Sequence, residues 1–291
     1  MKFLKKDGVR LAYEDSSSNL PPILFVHGWG CDHTFLAPQV KHFSKSHRAI
    51  AVDLRGHGKS DAPHEEYSMS SFADDLAFLC EELFLKKPVV VGHSMGGNVA
   101  LEFAARYPDL PSSVVLIDSV ILPPSAFIDA LRPLDGALQS AEYVSVFRHA
   151  ASSLFLEIDD ADRKKQILAV LPKAPQHVLV PAFRQHVTEY DATAAASGCR
   201  VPVAYIGAQV SMVDLARFRS ACPQLMTAQT LGAGHFSPLE VPDQINAMLT
   251  RFIEVFSSDS KRGYSESPAI TEPAGDVHEA ISNALSVISS L

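Results

Sequence analysis

The sequence predicts an α/β protein: a mostly parallel, eight-stranded sheet flanked by helices, with a helical stretch inserted late in the sheet. Three observations carry this. Short apolar runs alternate with segments of helical spacing, as βαβ units require. The run Pro88-Val89-Val90-Val91 passes through Gly92-His93-Ser94-Met95-Gly96-Gly97 into a helical pattern, so a strand turns sharply into a helix. Between about residues 120 and 199 the alternation stops, and helical patterns follow one another without a convincing strand.

Strands are expected at 2–5, 10–14, 22–26, 48–53, 88–92, 113–118, 202–207 and 226–231. Ile23-Leu24-Phe25-Val26, Ala49-Ile50-Ala51-Val52 and Val114-Val115-Leu116-Ile117 are continuous apolar runs, the mark of strands buried on both faces. Helices are expected at 71–85, 96–107, 212–221 and 242–256. In the first, Phe72, Leu76, Leu79 and Leu83 recur at helical spacing, Ser70 or Ser71 caps, and Asp74 and Asp75 suit the first turn. Pro242 suits the first turn of the last. Within 120–199, Pro123-Pro124 opens a series of helical patterns at 126–131, 140–156, 160–171 and 175–190. Residues 257–275 read as a flexible linker. At 276–291, Asp276 caps a helix with Val277, Ile281, Leu285 and Ile288 on one face. That stripe needs cover from the core, from a second copy in a homodimer, or from another protein.

A chain of 291 residues can bury one large core, or a core with a smaller insert. The net charge of -8 and the lack of a basic cluster with interleaved aromatics argue against nucleic acid or an anionic membrane as partner. No apolar stretch follows Met1-Lys2-Phe3-Leu4-Lys5-Lys6 as a secretion signal would, and none is long enough to span a bilayer. Cys31, Cys80, Cys199 and Cys222 match neither a zinc site nor a redox pair; they read as reduced thiols of a cytoplasmic protein. Cys31 either lines a pocket or is a small buried apolar residue.

The chemistry concentrates at Gly92-His93-Ser94-Met95-Gly96. So sharp a turn leaves no room for a Cβ at 92 or 96, and its apex lifts the Ser94 hydroxyl clear of the sheet. The helix behind it offers unpaired N–H groups to an oxyanion. His27-Gly28-Trp29-Gly30 follows the run 23–26, Asp53-Leu54-Arg55-Gly56-His57-Gly58-Lys59-Ser60 follows 49–52, and Gly232-Ala233-Gly234-His235-Phe236 lies near the end of the folded region. With Ser94, these stretches resemble the α/β-hydrolase family over residues 1–119 and 200–256.

The resemblance implies a hydrolase core with a helical cap at 120–199 roofing the site. Phe127, Phe147, Phe155 and Phe183 then either reach substrate or hold the cap together. It implies Ser94 as nucleophile, His235 as base, and the N–H groups of Trp29 and Met95 as oxyanion donors, with no metal and no cofactor. Trp29 could instead be a core aromatic. His27 braces its loop, and Asp53, Arg55 and His57 tie the turn after the fourth strand, an aspartate beside an arginine usually being an ion pair. The usual acid follows the seventh strand, but Val210 stands there. Some haloalkane dehalogenases, fungal lactonases and cofactor-free quinaldine dioxygenases place it after the sixth strand, where this chain has Asp118. Asp118 is therefore assigned as the acid. Asp214 is the alternative; a site without an acid, or with Asp191, remains open.

The resulting expectation is a serine hydrolase of a small carboxylic ester or lactone. A carbon–carbon bond hydrolase and a cofactor-free dioxygenase are alternatives on the same fold. A ligand receptor without turnover is the alternative outside enzymes. A haloalkane dehalogenase needs a carboxylate where Ser94 stands.

Overall fold

The computed structural model describes residues 1–171, 174–210 and 212–256. The expected linker and terminal helix at 257–291 lie outside the described residues. The apolar runs form β1 (Lys2–Lys6), β2 (Val9–Asp15), β3 (Pro22–Val26), β4 (Arg48–Val52), β5 (Val89–His93), β6 (Ser113–Ile117), β7 (Val203–Gly207) and β8 (Leu225–Gln229). They make one sheet in the order β1-β2-β4-β3-β5-β6-β7-β8. The β1–β2 and β2–β4 pairs are antiparallel and all others parallel.

Helices α1 (Ala37–Phe43), α2 (Met69–Glu82), α3 (Met95–Arg106), α9 (Leu215–Ala221), α10 (Ser237–Glu240) and α11 (Pro242–Phe256) connect or follow strands. Between β6 and β7 come α4 (Ser125–Leu138), α5 (Tyr143–Ser152), α6 (Ala161–Val170), α7 (Gln176–Phe183) and α8 (Thr193–Gly198).

Alternate residues of each strand point to opposite faces, and here both faces are covered. Ile23, Phe25, Ala49, Ala51, Val115 and Ile206 pack with Phe43 of α1 and with Ile245, Leu249 and Phe252 of α11. Leu24, Val26, Ile50, Val90, Val114 and Leu116 pack on the other side with residues of α2 and α3, in a cluster that continues into the insert.

Several boundaries differ from expectation. Helix α2 starts at Met69 because Ser68, in extended conformation, accepts a hydrogen bond from Ser71 N–H at 3.2 Å; Ser70 and Ser71 lie inside the helix. Asp75 is therefore beyond the first turn and buried, where Arg55 Nη2 donates to it at 2.6 Å. The arginine thus pairs with Asp75, not with Asp53. Asp53 instead accepts from His33 N–H (2.8 Å) and Lys59 N–H (2.9 Å), which ties the turn after β4 through backbone groups. Helix α9 starts late, at Leu215, with Asp214 as its N-cap accepting from Arg217 N–H at 2.9 Å. The helical stretch expected at 175–190 changes after Phe183 into a π-helical turn, Arg184–Thr188.

Candidate active site

Strand β5 ends at His93, and the chain reverses at Ser94, whose φ of 55° lies in the left-handed region that L-residues avoid. Close packing enforces the reversal. A Cβ at Gly92 would fall 2.1 Å from the Gly96 carbonyl oxygen, and one at Gly96 would fall 2.3 Å from the Val26 carbonyl oxygen. Gly97 adds a third approach: a Cβ there would meet Ser119 Oγ at 1.9 Å. The segment after β6 thus packs directly on the start of α3, and this brings Asp118 beside the Ser94 turn.

Asp118 also has a positive φ, 42°, and is buried. Its two carboxylate oxygens are both engaged. Oδ1 accepts from Ala208 N–H at 3.0 Å, and Oδ2 lies 2.7 Å from His235 Nδ1. The chain after β7 thereby contributes a backbone donor where Val210 offers no carboxylate. The bond to Asp118 places the proton of a neutral His235 on Nδ1 and leaves Nε2 as acceptor. Asp214 is committed to capping α9, and Asp191 caps Thr193 (2.9 Å) and pairs with Arg217. Neither lines the cavity that holds Ser94, Asp118 and His235.

The loop after β3 forms the next wall. A Cβ at Gly28 would be 2.9 Å from Ser94 Cβ, so the backbone of this loop lies against the serine. His27 braces it, with Nε2 accepting from Leu54 N–H at 3.0 Å and Nδ1 donating to the Gly28 carbonyl at 2.8 Å. Neither the Trp29 nor the Met95 backbone N–H has a hydrogen-bond partner among the described residues. The Trp29 indole donates to the Leu179 carbonyl at 2.9 Å, and its ring packs on Phe147 and Phe183, with centroids 4.5 and 5.2 Å away. Trp29 thus joins the sheet edge to the insert.

The cavity measures about 160 Å³. Phe127, Phe147, Phe155 and Phe183 all line it and are all buried, so each both faces the space and holds the insert. Cys31 is likewise buried and in the wall. No Lys, Arg or Glu lines it among the described residues, and no cluster of three metal-ligating side chains occurs among them.

Two histidines were not singled out from the sequence. His93 donates from Nε2 to the His235 carbonyl at 2.8 Å, and burial, then the charge of His235, pushes it down to about 3. It is a neutral strut under the His235 loop; its only sequence signal is its place before Ser94. His186, on the π-helical turn, lies in the cavity wall. Nothing local in the sequence marks it.

The His235 loop is also held from below. Gly234 N–H donates to Glu240 Oε2 at 2.9 Å, and His235 N–H donates to the Leu154 carbonyl at 3.0 Å. Burial, then the neighbouring Asp159, pushes the Glu240 carboxyl up from 4.5 to about 8. Between those values the native state binds more protons than the unfolded chain, so this group makes stability fall as pH rises from about 4.5 to about 8. Glu240→Gln keeps an acceptor for Gly234 and removes the ionisation. It is expected to raise Tm by about 3 °C near pH 8.5 and by less near pH 5, as read by calorimetry at both values. An equal shift at both would refute the assignment.

A family model described as alpha/beta hydrolase fold matches residues 21–160. A thermophilic esterase from Thermogutta terrifontis, solved with malate bound, superposes with a TM-score of 0.75 at 25% identity, over 89% of this chain and 100% of that one. The chain has the α/β-hydrolase fold. Epoxide hydrolase 3 of Xenopus tropicalis is 30% identical over 191 residues, 64% of this chain and 52% of the relative. The 2-(acetamidomethylene)succinate hydrolase of Mesorhizobium japonicum is 39% identical over 112 residues, 38% of this chain and 40% of the relative. These matches span about half the length of the curated relatives, or less. Among the described residues, no helix of this chain is long and apolar enough to cross a membrane.

Proposed function

We propose that this α/β-hydrolase cleaves a small, uncharged carboxylic ester or lactone through an acyl-enzyme on Ser94. The observation that carries the reading is the 2.7 Å contact between His235 Nδ1 and Asp118 Oδ2, in the same cavity as a serine held at positive φ. Ser94 Oγ attacks the substrate carbonyl carbon, and its proton passes to His235 Nε2. The Trp29 and Met95 N–H groups hold the oxyanion. When the tetrahedral species collapses, the alkoxide leaves with the proton from His235. Water then gives a proton to His235 and attacks the acyl carbon; a second collapse returns that proton to Ser94 and frees the acid. Asp118 keeps the imidazole in one tautomer and offsets its charge. The chemistry needs no cofactor.

The wall supports an uncharged substrate, since among the described residues it has no Lys or Arg to receive an anion and no Glu to receive a cation. This sets the chain apart from a relative whose name denotes a succinate substrate. The likeness to an epoxide hydrolase carries less weight. Serine attack on an epoxide yields an ether, which has no carbonyl for water to attack, so the enzyme would not turn over. We take helices α4–α8 to act as the cap, and the four buried thiols support a reducing compartment, the cytoplasm.

The test is covalent trapping. A 4-nitrophenyl alkylphosphonate is expected to release one equivalent of nitrophenolate and leave its phosphonyl group on the peptide containing Ser94, as read by mass spectrometry. Label on another residue, or none, would remove the nucleophile from the proposal.

A further inference from the structure

His186 is buried, with 6% of its surface exposed, in the part of the cavity wall that the insert supplies. Neither of its ring nitrogens has a hydrogen-bond partner among the described residues, and both are themselves covered, so the ring turns to offer one of them to the cavity. Buried polar groups are normally paired, and an unpaired one calls for an explanation. The ring rides on the π-helical turn Arg184–Thr188, a distortion often found at functional sites, between Phe183 and Val187, which also line the cavity. The other polar wall residue on the insert, Ser153, already donates to the Ala150 carbonyl at 2.8 Å. His186 is thus the insert's polar side chain with hydrogen bonds to give, in a wall that is otherwise largely aromatic and aliphatic.

We propose that His186 is a specificity residue that hydrogen-bonds an uncharged oxygen substituent, an oxo or hydroxyl group, carried by the substrate away from the scissile carbonyl. This rests on the ester or lactone reading of the site. Burial, then the charge of His235, pushes the ring down to about 3, so it is a neutral imidazole with one donor and one acceptor. A hydroxyl can use both and a carbonyl uses the donor. A carboxylate would arrive without a cation in the wall to meet it. Substrate then supplies the partner that the folded chain lacks, and an apolar analogue leaves the ring unpaired.

The experiment compares matched esters that differ by one oxygen. On the acyl side these are 4-nitrophenyl hexanoate and its 3-, 4- and 5-oxo analogues; on the alcohol side, pentyl acetate and 5-acetoxy-2-pentanone. For at least one pair, wild type is expected to favour the oxo ester. His186→Leu should lower that ratio of kcat/KM by about 10-fold, mainly through KM, and His186→Gln should restore much of it. Because leucine removes two unpaired polar atoms, Tm is expected to hold or rise; a merely structural histidine would lower it. A ratio that does not change in His186→Leu, or no oxo preference in wild type, overturns the proposal. If wild type hydrolyses none of these esters, the ester reading fails by itself. Thermal shifts with 2-heptanone and 2,6-heptanedione then decide His186: the dione should stabilise wild type more than His186→Leu, and equal shifts overturn it.

Discussion

Ser94→Ala is expected to lower kcat for 4-nitrophenyl hexanoate by about 10⁶-fold while leaving the fold intact. The size follows from the role proposed for the hydroxyl. Without it no acyl-enzyme forms, and what remains is water attack on a carbonyl that the Trp29 and Met95 N–H groups still polarise. The fold should persist because the demanding features of the turn are backbone features. The φ of 55° and the close approaches at Gly92, Gly96 and Gly97 do not involve the hydroxyl. Steady-state kinetics on protein shown to be folded by circular dichroism makes the measurement. A residual rate above about one per cent would make Ser94 a bystander, given the losses typical of such serines.

The sheet was legible in the sequence because strands buried on both faces must be apolar without interruption, as Ile23–Val26 and Val114–Ile117 are. The positions of Ser94, Asp118 and His235 were legible for a related reason: each follows closely on a strand, and the ends of parallel strands converge on one edge of the sheet. What could not be read depends on partners distant along the chain. Arg55 pairs with Asp75, twenty residues on, instead of the aspartate two residues before it. Ser68, Ser70 and Ser71 are equivalent caps by composition; only Ser68 has the extended backbone that the role needs. The short helices α1, α8 and α10 hold too few residues to show a period. The π-helical turn that carries His186 has no local signature, since an i→i+5 turn survives only when surrounding contacts hold it.

Asp118→Asn is expected to lower kcat by about 10⁴-fold, the loss associated with a buried aspartate that orients a catalytic imidazole. The asparagine can still accept from Ala208 N–H through its oxygen, so the loop after β7 stays in place. Its amide nitrogen then faces His235 Nδ1, where the carboxylate oxygen now lies at 2.7 Å. That nitrogen only donates, so it favours the tautomer with the proton on Nε2, and such a ring cannot take the proton of Ser94. The negative charge that offsets the imidazolium is lost as well. Asp214→Asn makes the contrast. Asparagine caps a helix about as well as aspartate, so the N–H of Arg217 keeps its acceptor and the rate should change no more than a few-fold. Kinetics on both variants with one good ester, after circular dichroism, separates the cases. An active Asp118→Asn beside a dead Asp214→Asn would transfer the acid's role to the start of α9. Full activity in both would mean that Ser94 and His235 work as a dyad, with the 2.7 Å contact serving only to hold the ring.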